Sequence, residues 1–100
     1  MGSFIQVIEY ESSHIDEIRV LGEKVQAERS GEVGGPRTIR VTEDRDKPGH
    51  YFTIVEFESY EKAMENSNHP ATQAFAAELA SLVSGPPTFH NLDVLDSYEV

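Results

Sequence analysis

The strongest candidate for acid–base chemistry in this sequence is His69, which stands in the segment Asn68-His69-Pro70 between two predicted helices. Proline disfavours helical geometry in the residue before it, so the chain is expected to break here. A histidine at such a break can point into the space between helix and sheet, and its pKa suits proton transfer near neutral pH. His69 is therefore a catalytic candidate. The alternative is a loop histidine that hydrogen-bonds backbone or faces solvent.

Other polar groups could contribute to a site. Gln6 is an amide on an otherwise apolar strand face, and a buried amide requires hydrogen-bond partners. Glu9 and Glu56 are expected to end adjacent strands, where two close carboxylates can act as an acid–base pair. The alternative for the two carboxylates is contact with a partner's arginine or exposure at the sheet rim. Arg37 and Arg40 could bind an acidic ligand or form surface ion pairs.

Composition excludes several functional classes. The chain has 100 residues and a formal charge of −10, which repels phosphate backbones and anionic lipids, so neither nucleic acid nor a membrane is an expected partner. It has no cysteine, which excludes disulfides and thiolate metal sites. The remaining histidines show no metal-binding spacing, and Asp44-Arg45-Asp46 does not continue as a calcium loop. No metal, no cofactor and no secretion signal are predicted, and the expected location is the cytoplasm.

The order of the predicted elements is β-α-β-β-α-β within a single domain, residues 1–100, and the second helix is broken. Serines at positions 12 and 13 offer an N-cap for the first helix, and Gly85-Pro86-Pro87 ends the last one. The predicted strands are Phe4–Tyr10, Arg37–Thr42, His50–Phe57 and Phe89 to about Tyr98. This is the ferredoxin-like α+β arrangement with a four-stranded antiparallel-type sheet. Right-handed crossovers are expected to make the first and third strands parallel neighbours at its centre.

Both faces of the two central strands carry apolar side chains. Ile8 and Val55 belong to one face, and Val7 and Ile54 to the other. Two helices can cover only one face of such a sheet, so the second face requires another cover. The sequence therefore predicts a homodimer that pairs through sheet faces.

At the level of element order the chain resembles the dimeric α+β barrel superfamily, which includes the antibiotic-biosynthesis monooxygenase-like proteins and the stress-responsive A/B-barrel proteins. The resemblance is sharpest in TIVEFESYEKAMENSNHPATQAF, where an apolar strand leads to a helix and then to a His-Pro pair. In the related polyketide cyclases the catalytic histidine lies three residues beyond the His-Pro histidine, and Thr72 occupies that position here. The haem-degrading members use a tryptophan, which this chain lacks.

The resemblance implies a cavity between sheet and helices, into which Tyr51 and Thr53 project. The leading hypothesis is a cofactor-independent monooxygenase-like enzyme that acts on an apolar aromatic or polyketide-like compound. Its catalytic residues are His69 and Tyr51, the latter as a phenol that can hydrogen-bond a carbonyl or enolate. The predicted substrate-binding residues are Gln6, Thr53, Val55, Phe57, Asn68 and Phe75. The alternatives are a non-catalytic ligand-binding protein, in which Tyr51 is a core aromatic, and a structural dimeric module whose cavity is filled by Met64, Phe75 and Phe89.

Overall fold

Four strands and three helices make up the computed structural model, which describes residues 3–32 and 34–100. Met1, Gly2 and Val33, which belong to the predicted domain, lie outside the described residues. The elements are β1 (Phe4–Glu11), α1 (Ile15–Glu28), β2 (Thr38–Glu43), β3 (His50–Phe57), α2 (Tyr60–Ser67), α3 (Pro70–Leu82) and β4 (Thr88–Asp93). The predicted α+β ferredoxin-like order and the broken second helix are confirmed.

The sheet order is β2-β3-β1-β4, and every neighbouring pair is antiparallel. The expectation that β1 and β3 are parallel neighbours was wrong in direction, although the two strands do lie side by side. Each crossover passes over one strand: α1 connects β1 to β2 across β3, and the broken helix connects β3 to β4 across β1. The strand enclosed by each crossover therefore runs opposite to the pair that the crossover joins.

Two predicted boundaries also differ. β4 ends at Asp93 rather than near Tyr98, because among the described residues the partner segment reaches only to Ser3, whose carbonyl accepts a hydrogen bond from the backbone N–H of Val94. The N-cap of α1 is His14, whereas Ser12 accepts a hydrogen bond from the His14 N–H and donates one to the carbonyl of Leu82. Ser12 thus ties the start of α1 to the end of α3.

The register assigns each central side chain to one of two faces. Phe4 opposes Phe57, Ile8 opposes Thr53, and Tyr10 opposes Tyr51 on the face that packs against the helices, which we call the inner face. The core consists of two clusters on this face. Ile8, Tyr10 and Tyr51 pack with Ile18 and Leu79, and Phe4, Val55 and Phe57 pack with Ala63.

The outer face carries no helix within the described residues, and its central apolar side chains are Ile5, Val7, Phe52 and Ile54. All four are half-buried by their neighbours in the sheet. In residues 3–32 and 34–100 no helix has the length and apolar character needed to span a bilayer.

Candidate functional site

A cavity of about 500 Å³ lies between the inner face of the sheet and helices α1 and α3, and it is partly open to solvent. Strands β1 and β3 form its floor, the exposed edge strand β2 contributes Ile39 and Val41, and α3 contributes Phe75 and Leu79. Its remaining apolar lining is supplied by Ile8, Ile18, Val25, Pro36, Val55 and Phe57. A pocket of this size and character suits a small apolar molecule.

Five of the residues predicted to bind substrate line the cavity. Thr53, Val55 and Phe57 do so from β3, Gln6 from β1 and Phe75 from α3. The alternation of the strands explains this placement, because residues at even positions of β1 and odd positions of β3 share the inner face. The side chain of Gln6 donates from Nε2 to Oδ1 of Asn91, 3.1 Å away, so its amide has a partner on β4.

Tyr51 and His69, the two predicted catalytic residues, do not line the cavity and are not brought together on it. Tyr51 is buried in the core, where its ring stacks on that of Tyr10 with 5.7 Å between centroids. Asn68, predicted to bind substrate, also lies outside the lining and caps the end of α2 through its backbone N–H. The functional roles of these three residues stay predictions.

His69 has a definite local role at the start of α3. Its Nδ1 accepts a hydrogen bond of 3.0 Å from the backbone N–H of Ala71, which makes it the N-cap of the helix. Its Nε2 lies 3.1 Å from Oε1 of Glu32. A ring nitrogen that accepts a hydrogen bond carries no proton, so the proton belongs on Nε2, which donates to the carboxylate. Both ring nitrogens are therefore engaged within the protein.

Sequence reasoning missed a polar group in the cavity wall, the side chain of Arg29. This residue is the C-cap of α1, and its Nη1 donates to Oδ1 of Asn66 at 2.7 Å and to Oγ1 of Thr72 at 3.3 Å. We call Arg29, Asn66 and Thr72 the Arg29 cluster, and all three line the cavity. The Nε of Arg29 donates to Oε1 of Glu32 at 3.2 Å, and Nε2 of His69 contacts the same oxygen.

A second polar point in the cavity is the pair formed by Tyr10 and Thr53, whose hydroxyl oxygens are 2.8 Å apart. Burial raises the pKa of the Tyr10 phenol above its ordinary value. The pKa of Tyr51 is raised as well, by burial first and then by the Glu43 carboxylate. Both phenols are therefore neutral near pH 7 and act as hydrogen-bond donors or acceptors rather than as bases.

Glu9 and Glu56 do not form the acid–base pair that the sequence allowed. Glu9 opposes Phe52 and Glu56 opposes Ile5, so the antiparallel strands place the two carboxylates toward opposite ends of the outer face. Glu9 instead binds two histidines that the sequence left isolated: its Oε2 is 2.9 Å from Nε2 of His50, and its Oε1 is 3.0 Å from Nε2 of His90. We call these three residues the Glu9 cluster.

The charges of the Glu9 cluster affect one another. The hydrogen bond from His50, and then that from His90, hold the pKa of Glu9 below its ordinary value. The hydrogen bond to Glu9 raises the pKa of His50, with Glu11 adding to the effect. The cluster lies on the opposite side of the sheet from the cavity.

Neither Arg37 nor Arg40 lines the cavity, and both are exposed on or beside the edge strand. In the part of the chain that the structure describes, no group of three or more acidic or histidine side chains is placed to hold a metal ion.

Comparison of this structure with solved structures gives matches over nearly the whole chain. A protein from Caulobacter crescentus, assigned by name to the antibiotic biosynthesis monooxygenases, superposes with a TM-score of 0.80 at 15% identity, covering 95% of this chain and 92% of its own. A protein from Deinococcus radiodurans with the same assignment gives a TM-score of 0.74 at 17% identity, covering 97% of both chains.

SnoaB from Streptomyces nogalater, described as a cofactor-independent oxygenase, gives a TM-score of 0.80 for its N63A variant at 13% identity, covering 97% of both chains. No family model matches the sequence, and no curated protein matches it either. Identities this low establish the fold and not the activity. The predicted resemblance is confirmed at that level: the chain has the α+β fold of the antibiotic biosynthesis monooxygenase-like proteins.

Proposed function

We propose that this protein is an enzyme that acts on an apolar aromatic or polyketide-like compound without a cofactor. The observation that carries the proposal is the cavity of about 500 Å³, whose walls are mostly apolar and carry polar side chains at several points. Sites of this composition bind a ring system by burial and orient it by a few hydrogen bonds. The cavity also argues against a structural module filled by its own side chains, since Phe75 lines it and Phe89 is half exposed.

The likeness to SnoaB supports oxygenation as the reaction type. In the reaction we propose, an activated CH₂ group between two unsaturated carbons loses both hydrogens and gains a carbonyl oxygen from dioxygen. The second oxygen atom leaves as water with the two hydrogens. The substrate supplies all four electrons, so dioxygen is the only co-reactant.

The chain's own contribution is to hold and orient the substrate. Val55, Phe57 and Phe75 would pack against its rings, and Thr53 and Gln6 would meet its oxygens from the floor of the cavity. The Tyr10 hydroxyl shares a hydrogen bond with Thr53 and can redirect that bond to a ligand. Tyr51 supports this pair through its stacked ring, and His69 supports the Arg29 cluster through Glu32.

A second candidate function is binding without turnover. The specific observation in its favour is that no histidine is among the lining residues, and both ring nitrogens of His69 are engaged elsewhere. A cavity that binds but does not transfer protons is sufficient for a sensor or carrier.

The outer face supports the proposal of a homodimer. It exposes part of Ile5, Val7, Phe52 and Ile54 in a continuous apolar area, with Leu92 about half exposed beside them. A contiguous apolar patch of this kind is typical of an interface. Sedimentation at micromolar concentration tests it: we expect a dimer that Ile54→Arg dissociates, and a wild-type monomer would contradict the proposal.

Oxygen uptake is the experiment that separates the two functions. An anthrone, which carries an activated CH₂ group between two rings, would be mixed with the protein in air-saturated buffer, with the spontaneous rate subtracted. The enzyme proposal predicts consumption of one dioxygen per carbonyl formed, at a rate proportional to protein concentration. Binding of the anthrone without added oxygen uptake would contradict the enzyme and favour the binding protein.

A further inference from the structure

We infer that the ligand of this cavity is an anion, an apolar ring system with one ionised oxygen, and that the Arg29 guanidinium binds that oxygen. The inference rests on the proposed function, because it assigns a ligand class to the same cavity. The ionised oxygen belongs to a phenolate, an enolate or a carboxylate, which share the chemistry that a guanidinium recognises.

First, Arg29 is a charged side chain in a largely buried position. Its side chain is only 12% exposed although it is charged, and it lines an otherwise largely apolar cavity. A guanidinium in such a place loses hydration and must recover it through hydrogen bonds. Asn66 and Thr72 supply neutral acceptors, which satisfy Nη1 without cancelling its charge.

Second, Glu32 neutralises the charge of Arg29 only in part. Glu32 is the carboxylate that pairs with Arg29, and it does so through Nε. The Glu32 side chain is 42% exposed and its Oε1 is shared with His69 at 3.1 Å. An exposed and shared carboxylate neutralises a buried cation incompletely, so part of the Arg29 charge remains available to a ligand, even though the lining also contains Glu23.

Third, one nitrogen of the Arg29 guanidinium stays available while the other two are held in place. Within residues 3–32 and 34–100, Nη2 of Arg29 makes no hydrogen bond, and a Cβ added to Gly35 would lie 3.9 Å from it. Glycine at position 35 therefore places no side chain against Nη2. With Nε held by Glu32 and Nη1 by Asn66 and Thr72, the guanidinium is fixed in orientation before any ligand arrives, which lowers the entropy cost of binding.

The charge of the whole chain makes this cation informative. A net charge of −10 repels anions from the surface, so an anionic ligand requires a local cation such as Arg29 to bind. Arg19 also lines the cavity, but it lies on the exposed side of α1, whereas Arg29 is fixed by three side chains.

The test compares 2-naphthoate with its neutral isostere 2-naphthamide by fluorescence titration of wild type, Arg29→Gln and Arg29→Lys. We expect wild type to bind the naphthoate more tightly. Arg29→Gln should raise the Kd for naphthoate about 10- to 100-fold, as loss of a charge-assisted hydrogen bond does, and leave that for naphthamide within about threefold. Arg29→Lys should be intermediate, since it keeps the charge but not the planar fork. Arg37→Gln removes an exposed charge outside the cavity and is the matched control.

A second readout needs no variant. When 4-nitrophenol binds wild type, its visible absorption should show a larger phenolate fraction than in buffer at the same pH, because the guanidinium stabilises the anion. Arg29→Gln should lose this shift, which a merely structural arginine would not produce.

The remaining outcomes are distinct. Equal binding of naphthoate and naphthamide by wild type would overturn the anion inference and leave the proposed function standing. A naphthoate preference that persists in Arg29→Gln would overturn the role of Arg29. Binding of neither probe, together with no shift of nitrophenol, would contradict both the inference and the proposed function.

Discussion

The guanidinium of Arg29 donates a 2.7 Å hydrogen bond from Nη1 to Oδ1 of Asn66, which joins the end of α1 to the end of α2. Thr72, at the start of α3, accepts from the same nitrogen at 3.3 Å. Three helix ends thus meet at one polar point in the cavity wall. The point is built from segments more than thirty residues apart, and it places a polar cluster in the wall of a largely apolar cavity.

Filling the cavity from α1 should weaken ligand binding without harming the fold. Gly22 lines the cavity, and a Cβ added there would meet no atom within 4 Å. Gly22→Leu should therefore place its side chain in the cavity and weaken binding of 2-naphthoate at least about tenfold. Stability should rise by about 0.5–1 kcal/mol, since glycine disfavours a helix interior. Ala27→Leu adds a similar side chain at an exposed position of α1 and should leave binding unchanged. Tight naphthoate binding by Gly22→Leu would show that the ligand lies elsewhere.

His69→Ala should destabilise the protein because it removes the N-cap of α3 and the contact with Glu32. We expect a loss of about 1 kcal/mol, or a Tm lower by roughly 4–8 °C for a domain of this size. His69→Asn is the matched variant, since asparagine caps a helix but does not transfer protons near pH 7. If His69 acts only through structure, His69→Asn should recover most of the stability and any oxygen uptake. Recovery of stability with loss of oxygen uptake would instead support the catalytic role predicted from the sequence.

Removing the hydroxyl of Tyr10 and removing that of Tyr51 should have different effects on ligand binding, because only the Tyr10 hydroxyl belongs to the pair in the cavity floor. Tyr10→Phe leaves Oγ1 of Thr53 without its partner and should cost about 1 kcal/mol of unfolding free energy. It should also weaken the binding of a ligand that hydrogen-bonds at this point. Tyr51→Phe keeps the stacked ring and, lying outside the lining, should change ligand affinity less. Urea unfolding and naphthoate titration of both variants measure this, and a larger affinity loss in Tyr51→Phe would contradict the assignment.

The Glu9 cluster should make stability depend on pH. The pKa of His50 is raised above its ordinary value of 6.5, so its contribution is full below that pH and is lost as pH rises through the raised pKa. The pKa of Glu9 is lowered from 4.5, so its contribution is present above that pH and is lost as pH falls through the lowered pKa. The two contributions overlap between pH 4.5 and 6.5.

Thermal melts from pH 4 to 9 test this dependence. Glu9→Gln should flatten the fall in Tm above pH 6.5, where the His50 contribution is lost. Glu56→Gln is the control, because it removes another carboxylate from the same face. Glu56 accepts a hydrogen bond of 3.4 Å from Thr38 Oγ1 and is not part of the Glu9 cluster, so this variant should keep the wild-type pH profile. An unchanged profile in Glu9→Gln would exclude the cluster as its source.

The sequence predicted the fold well because its signals are local. Alternation in His50–Phe57 and the His69-Pro70 break each determine an element from a few neighbouring residues, and the structure confirms both. The inner-face residues Gln6, Thr53 and Val55 could be placed for the same reason, since period-two alternation fixes the face of a strand.

The polar parts of the site could not be predicted because they depend on pairing between distant segments. Arg29 ends a helix and is followed by Ser30-Gly31, which in the sequence indicates only a stop. Its partners lie 37 and 43 residues away. Likewise, the direction of β3 relative to β1 decides which carboxylates and histidines meet. The parallel direction expected from the sequence placed Glu9 beside Glu56, whereas the antiparallel pairing brings His50 to Glu9.

The measurement that tests the cavity most directly is a two-dimensional ¹H–¹⁵N NMR titration of the wild-type protein with 2-naphthoate. We predict that the amide shifts concentrate on residues around the cavity, above all Gly22, Thr53 and Phe75, and on the Arg29 side chain, with the outer-face residues Val7 and Ile54 unchanged. Shifts that concentrate on the outer face, or no shifts at millimolar ligand, would contradict the claim that this cavity is the binding site.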